Sequence, residues 1–343
     1  MEKQTSPFSI QDSLAAKGAA ILLMLVHHLF AFPERLHGVS YLSSLPMLPQ
    51  ASHPTEFYLG QLGKICVSMF LFLSGYGMME RLRTWTGSRL SYALQKAWQV
   101  LATCWIVFAI FVPIGLIFFK ASPQFHFSVV DFLKNFFLIR YTYNGEWWFF
   151  QTYFILLALF PTLSLLAEKF PALTLVSSLA LLLFSLQFRF AHNLLLHQAP
   201  FVLGLIFSRL SLFQKGAGFF SPQRGQHGKI TCLALGLFLL AYRARSRDEI
   251  LLEPAAALLV ILYSIHAARR FLPLGVFLAH LGQFALPIWL THSFFCYYYF
   301  QHLIYAPRYS ILIFTWLVLI SYAAALTVNR LRQWVVPKKS KLI

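Results

Sequence analysis

Two adjacent histidines close the apolar run KGAAILLMLVHH, residues 17–28. An imidazole inside hydrocarbon is costly to keep, and the chemistry it offers is proton transfer, proton relay or metal ligation. Read as a helix rising about 1.5 Å per residue, the run carries His28 about 16 Å beyond Lys17, roughly half the thickness of a bilayer's hydrocarbon core. His27 and His28 would then point about 100° apart, so one faces the interior of a bundle and the other a neighbour or the outer interface. A third histidine, His292 in LPIWLTHSFF, lies about 15 Å into a later apolar run that begins near Gly282. If both runs cross the membrane in the same direction, His28 and His292 sit at similar depth and can share a cavity. No third ligand of suitable type lies at that depth, so no metal site is expected.

Other residue groups could handle a substrate. The string SMFLFLSGYG, residues 68–77, spends helix propensity on Ser74, Gly75 and Gly77 around Tyr76. Small residues there either let two helices approach closely or line a cavity. The string leads into Arg81, Arg83, Arg89 and Lys96, which read as a positive cytoplasmic loop or as a clamp for a phosphorylated cytosolic ligand, since arginine forks match phosphate oxygens. Glu146, Trp147, Trp148 and Tyr153 open another apolar run. Aromatic residues at that level form an interfacial belt or stack on a sugar ring, and Glu146 fits a belt poorly.

The elements that must position these groups are membrane helices. Of 343 residues, 58% are hydrophobic and 11% charged, against roughly a quarter charged in soluble proteins. The apolar runs do not alternate with polar residues as the strands of a membrane barrel would. The expected fold is all-α: one polytopic bundle of about ten spans near 14–32, 60–79, 96–119, 148–167, 171–189, 193–211, 229–243, 250–267, 282–302 and 310–330. With both termini cytoplasmic, about 18 Lys and Arg lie inside against about 10 outside. Arg243, Arg245 and Arg247 break the bias, which leaves the 229–267 hairpin the weakest part of the topology.

Residues 33–59, with four prolines, read as a long irregular outer loop, and 121–147 as holding a short amphipathic helix with Val129, Phe132, Phe136 and Phe137 on its apolar side. Together they would shape an external vestibule. The net charge of +17 is spread between apolar runs, which suits anionic lipid and not nucleic acid. The four cysteines lie in apolar segments without paired spacing and read as buried small hydrophobes. The first apolar run is too long for a cleavable signal peptide, and there is no internal repeat.

Four strings in order, KGAAILLMLVHH, SMFLFLSGYG, EWWFFQTYFILLALFP and LGQFALPIWLTHSFF, resemble those of the acyltransferase-3 family of integral membrane O-acyltransferases. They are similar to its first-helix Lys/Arg-Gly…His, its Phe-Phe-Ser-Gly-Tyr/Phe string, its Trp-Tyr/Phe-aliphatic-Pro helix and its late Leu-Gly…Tyr-Leu-x-His helix. Trp289 stands where the late motif more often has Tyr, and the family's closely spaced arginines match either Arg81 and Arg83 or Arg89 and Lys96.

The resemblance implies transfer of an acyl group, chiefly acetyl, from cytosolic acyl-CoA to a hydroxyl of a carbohydrate or lipid-linked glycan. It implies a bacterial inner membrane, acyl-CoA as co-substrate and no bound cofactor. It also implies a single domain over residues 1–343 without the extra hydrolase-like domain of some members. His28 takes the position of the family's essential histidine, His292 that of the late-helix histidine, and Ser74-Gly75 that of the second-span pair. The expected mechanism has His28 as general base, His292 or Tyr76 near the oxyanion, and Ser74 as a carrier if the acyl group is transferred covalently. The alternative is a glycolipid or small-molecule transporter with His28 and His292 as a proton relay, against which the absence of repeated halves counts. A third reading is a polymerase-like sugar-handling membrane protein that works through the outer loop and needs no acyl-CoA.

Overall fold

The computed structural model describes residues 8–49, 51–185, 192–215 and 249–335. Among them there is no strand, only an isolated bridge between Leu42 and Tyr309. Six helices are long and apolar enough to cross a membrane: Ile10–Phe30, Thr55–Leu82, Arg89–Phe118, Gly145–Lys169, Leu252–Arg270 and Ser310–Val335. A seventh span is broken, because Leu272–Gln283 and Ala285–Tyr298 meet at 69°. Pro171–Phe184 is apolar but 14 residues long, about 21 Å against a core of roughly 30 Å. His192–Arg209 carries His192, His197, Gln198 and Arg209 and is not one of the six. The chain therefore reads as a multi-pass helical membrane protein with six or seven spans among the described residues, where ten were expected overall. The expected span 229–243 and the Arg243–Arg247 loop lie outside the described residues.

The chain forms two compact units that alternate along the sequence: 1–20, 65–94 and 155–283 in one, 21–64, 95–154 and 284–343 in the other. Helix α1 (Ile10–Phe30) begins in the first unit with a reciprocal cap. Ser9 Oγ accepts from the Asp12 amide at 3.1 Å, and Asp12 Oδ2 accepts from the Ser9 amide at 2.6 Å. The same carboxylate takes two bonds from Arg269, at 2.8 and 2.7 Å.

Glycines bring the helices of this unit into backbone contact. A Cβ on Gly18 would lie 2.0 Å from the Leu278 carbonyl oxygen, and one on Gly282 would lie 2.0 Å from that of Leu14. Gly75 and Gly204 do the same for the helices Cys66–Leu82 and His192–Arg209, at 2.1 Å from Phe201 O and 2.2 Å from Phe72 O. Close packing is thus the use of Gly75.

In the second unit, α2 (Thr55–Gly63) lies against the end of α1, where Gly60 and Gly63 leave no room for a Cβ. The loop between α1 and α2 is irregular, as expected, but firmly tied. Leu42 and the 308–310 segment exchange backbone bonds of 2.8 and 3.0 Å. The buried Glu56 carboxylate accepts from Ser43, the Ser44 amide and Ser310. Gln301 bridges the His37 amide and the Arg35 carbonyl. The expected amphipathic helix is present at Val129–Phe136, with Val129, Val130 and Leu133 exposed and Phe136 stacked on Trp105.

Candidate active site

His28 is the last-turn residue of α1 that faces the interior of the second unit, and it is 8% exposed. Its ring lies 4.7 Å, centroid to centroid, from that of His292, which is fully buried. His27 turns away, and its Nδ1 is 2.7 Å from the Gly60 carbonyl. A carbonyl only accepts, so His27 donates there and serves to dock α2 on α1.

His292 sits in the helix Ala285–Ser293, and its Nδ1 donates to the Trp289 carbonyl at 2.7 Å. That leaves Nε2 as a lone-pair acceptor, buried and without a hydrogen-bond partner among the described residues. A neutral His292 held this way cannot donate to an oxyanion from Nε2.

The third member of the cluster is Glu146, which is 8% exposed. Its Oε2 is 3.5 Å from His28 Nε2, and its Oε1 accepts from Arg35 at 2.7 Å. The Arg35 guanidinium lies between two rings, 4.4 Å from the Phe32 centroid and 4.9 Å from that of Tyr297. Burial works against the Arg35 charge, but the Glu146 carboxylate outweighs it and raises the guanidinium pKa above its ordinary value.

Irregular backbone delivers these groups. Glu146 lies in the short 3-10 turn Gly145–Trp147, capped by Asn144, whose Oδ1 accepts from the Glu146 amide at 3.0 Å. After Ser293 the helix opens into one π-helical turn, Phe294–Tyr298. That turn aims the Tyr297 hydroxyl at the His28 carbonyl, to which it donates at 2.5 Å. Such turns recur at functional sites in helices. Arg35, Tyr297 and Asn144 were not singled out from the sequence. The one available signal was Arg35, the single Lys or Arg in residues 33–59.

The remaining sequence candidates divide by unit. Trp147, Trp148, Tyr153 and Lys96 belong with His28, His292 and Glu146 in the second unit. Trp147 is 1% exposed, its indole N–H donating to Leu290 O at 3.2 Å, so it has no open face on which a sugar ring could stack. Tyr153 stacks on Phe149, and Trp148 is half-buried.

Lys17, Ser74, Tyr76, Arg81, Arg83 and Arg89 belong to the first unit. Lys17 and Ser74 are half-buried, and Tyr76 is packed among Phe8, Phe72 and Phe213. Arg83 donates to the Ser208 carbonyl at 2.6 Å and pairs with Glu80, while Arg89 pairs with Glu168 and donates to Ser164. Both already hold a carboxylate. Arg81 donates to Thr84, and its Nε is buried without a partner among the described residues. Among the described residues no group of three or more His, Cys, Asp or Glu side chains is placed to hold a metal ion.

No curated protein and no solved structure matches the chain significantly. A family model does: the acyltransferase-3 model, described as an acyltransferase domain, matches residues 14–330 of the 343.

Proposed function

The chain belongs to the acyltransferase-3 family, and from that premise we propose that His28 is the general base of an O-acyl transfer, with Glu146 as the carboxylate that stabilises its protonated form. The observation that carries this reading is Glu146 itself, near His28 Nε2 at 3.5 Å on one side and held by Arg35 at 2.7 Å on the other. A carboxylate so placed plays the part of the acid in a nucleophile-activating triad: it orients the imidazole and offsets the charge that forms on it.

In the step, the acceptor hydroxyl oxygen attacks the thioester carbonyl carbon while its proton passes to His28. The C–S bond then breaks, and the CoA thiolate leaves with the proton that His28 returns. The products are an ester and free CoA. A positioned base of this kind contributes about 10²–10⁴-fold, and the rest comes from positioning and charge stabilisation. His292, 4.7 Å away ring to ring, stays neutral while His28 holds the proton, because two charged imidazoles at this separation repel.

The donor in this reading is cytosolic acetyl-CoA, and the acceptor is a hydroxyl of a cell-surface carbohydrate or lipid-linked glycan at a bacterial inner membrane with both chain termini cytoplasmic. Arg81 is the phosphate ligand best supported, because its Nε has no hydrogen-bond partner among the described residues, whereas Arg83 and Arg89 would have to exchange a carboxylate for a phosphate.

The test uses inverted membrane vesicles containing the protein and acetyl-CoA labelled in the acetyl group. Label is followed into glycan and lipid fractions for wild type, His27→Ala, His28→Ala and Glu146→Gln. Transfer lost in His28→Ala and Glu146→Gln but kept in His27→Ala is the expected result. No CoA-dependent transfer by wild type, with several acyl donors and native acceptors supplied, would overturn it.

A further inference from the structure

Residues 42–48 read LSSLPML, and the stretch 38–52 around them carries no charged side chain. In the second unit the polar groups of this turn are spent on fixing its shape. Ser43 Oγ donates to one oxygen of the buried Glu56 carboxylate at 2.7 Å, and the Ser44 amide donates to the other at 2.9 Å. Thr55 Oγ1 donates to the Pro46 carbonyl at 2.6 Å. The apolar side chains are left outside: Met47 is 63% exposed, and Leu42, Leu45 and Leu48 are exposed beside it in sequence. A firmly tied turn that presents leucines and a methionine together marks a surface for an apolar partner.

The last span fixes the depth of this turn. The Leu42 amide donates to the Arg308 carbonyl at 2.8 Å, and the Ser310 amide donates to the Leu42 carbonyl at 3.0 Å. Leu42 is therefore level with the start of the helix Ser310–Val335. The first charge along that helix is Arg330, and Ile311 to Arg330 is a rise of about 29 Å, close to the thickness of a hydrocarbon core. For the helix to cross, its first turn must sit at the edge of the hydrocarbon, and Ile311 and Leu312 are exposed there. The apolar face of the 42–48 turn continues this lipid-facing surface. Tyr309, bridged to Leu42 and exposed, has the residue type of an interfacial belt. Arg308 holds a left-handed conformation, φ +65°, which is unfavourable without a compensating contact. Its carbonyl takes the Leu42 amide, and its exposed side chain is left at the level of lipid headgroup phosphates.

We infer that the 42–48 turn is a membrane anchor: Leu45, Met47 and Leu48 insert into the lipid leaflet at the Ser310 end of the last span, with Arg308 at the headgroups. The uncharged stretch 38–52 offers a soluble partner no charge to complement, whereas hydrocarbon requires none. The inference needs neither acyl donor nor acceptor and stands apart from the acyl-transfer reading. It gives residues 33–59 a use other than the wall of a vestibule, since the bilayer then grips the segment that supplies Arg35 to Glu146.

The experiment places a nitroxide on the purified full chain in phospholipid nanodiscs. The label goes on Met47→Cys, on Leu312→Cys as the lipid reference, and on the exposed Glu34→Cys as the water reference. The unsubstituted chain, treated in the same way, gives the background, and its Cys66, Cys104 and Cys296 are buried. Collisions are measured with oxygen, which concentrates in hydrocarbon, and with a nickel chelate, which stays in water. The expected oxygen-to-nickel ratio at Met47 is several-fold above that at Glu34 and close to that at Leu312. A label on Leu45→Cys should move from the lipid value to the water value when Met47→Asp and Leu48→Asp are added, because a carboxylate is costly in hydrocarbon. If Met47→Cys does not fold, Leu48→Cys decides in its place. A ratio equal to that at Glu34 would overturn the proposal. So would few collisions with either reagent, the outcome for a turn covered by a second copy of the chain.

Discussion

Asn144 and Ser293, 149 residues apart in the chain, are joined by two hydrogen bonds of 2.8 and 3.0 Å. Asn144 also caps the turn that carries Glu146, and Ser293 directly follows His292. This one contact fixes the carboxylate turn against the histidine helix.

Asn144→Ala is therefore expected to lower acyl transfer by about 10–10²-fold, the scale of a misplacement near 1 Å. Ser293→Ala acts on the same contact, so the double variant should lose little more than either single one. Label-transfer rates of the three variants check this, and fully additive losses would show that the two residues act apart.

Glu146→Gln keeps the shape and removes the charge, and transfer should fall by about 10²–10⁴-fold with the fold intact. Arg35→Gln leaves the buried Glu146 carboxylate without its ion pair, which costs stability as well as activity. Combining Arg35→Gln with Glu146→Gln should restore the thermal unfolding midpoint towards wild type while activity stays low. A midpoint still depressed in the double variant would mean that the Arg35 contribution lies in its packing on Phe32 and Tyr297.

The raised pKa of Arg35 sets a pH expectation. A group whose pKa is higher folded than unfolded contributes fully below the unfolded value and loses the contribution only as pH passes the folded one. Both values lie far above neutrality for a guanidinium, so the stability difference between wild type and Arg35→Gln should be flat from about pH 7 to about pH 10. A difference that decays over that range would argue against the ion pair as its source.

Two glycines should respond oppositely to the same change. A Cβ at Gly18 meets the Leu278 carbonyl oxygen at 2.0 Å, and Gly18→Ala is expected to destabilise by about 1–3 kcal/mol. Gly77 has nothing within 4 Å, so Gly77→Ala in the middle of a helix should stabilise by roughly 0.5–1 kcal/mol. Unfolding midpoints of the two variants decide it.

The nearness of His28 and His292 was legible in the sequence because helical rise and span direction fix depth. Glu146 was legible only as an oddity beside Trp147, since nothing in a linear pattern says that a 3-10 turn aims it at His28. Arg35 and Tyr297 were hidden for the same reason: an irregular loop and a π turn follow no period. The span expected at 282–302 lacked its other half, Leu272–Gln283, because hydropathy does not register a 69° bend at Phe284. The arginines after the second span looked available because their partners, Glu168 and the Ser208 carbonyl, come from distant helices.

The π-helical turn has a mechanical consequence. Its tyrosines and the one after it leave in three directions: Tyr297 to the His28 carbonyl, Tyr298 to the Gly145 amide, and Tyr299 to the Phe111 carbonyl at 2.6 Å. Three consecutive side chains thus form a junction that joins the histidine helix, the carboxylate turn and the helix Arg89–Phe118. The position of this one turn is therefore set by three partners at once, and it acts as a pivot shared by the histidine helix and the carboxylate turn.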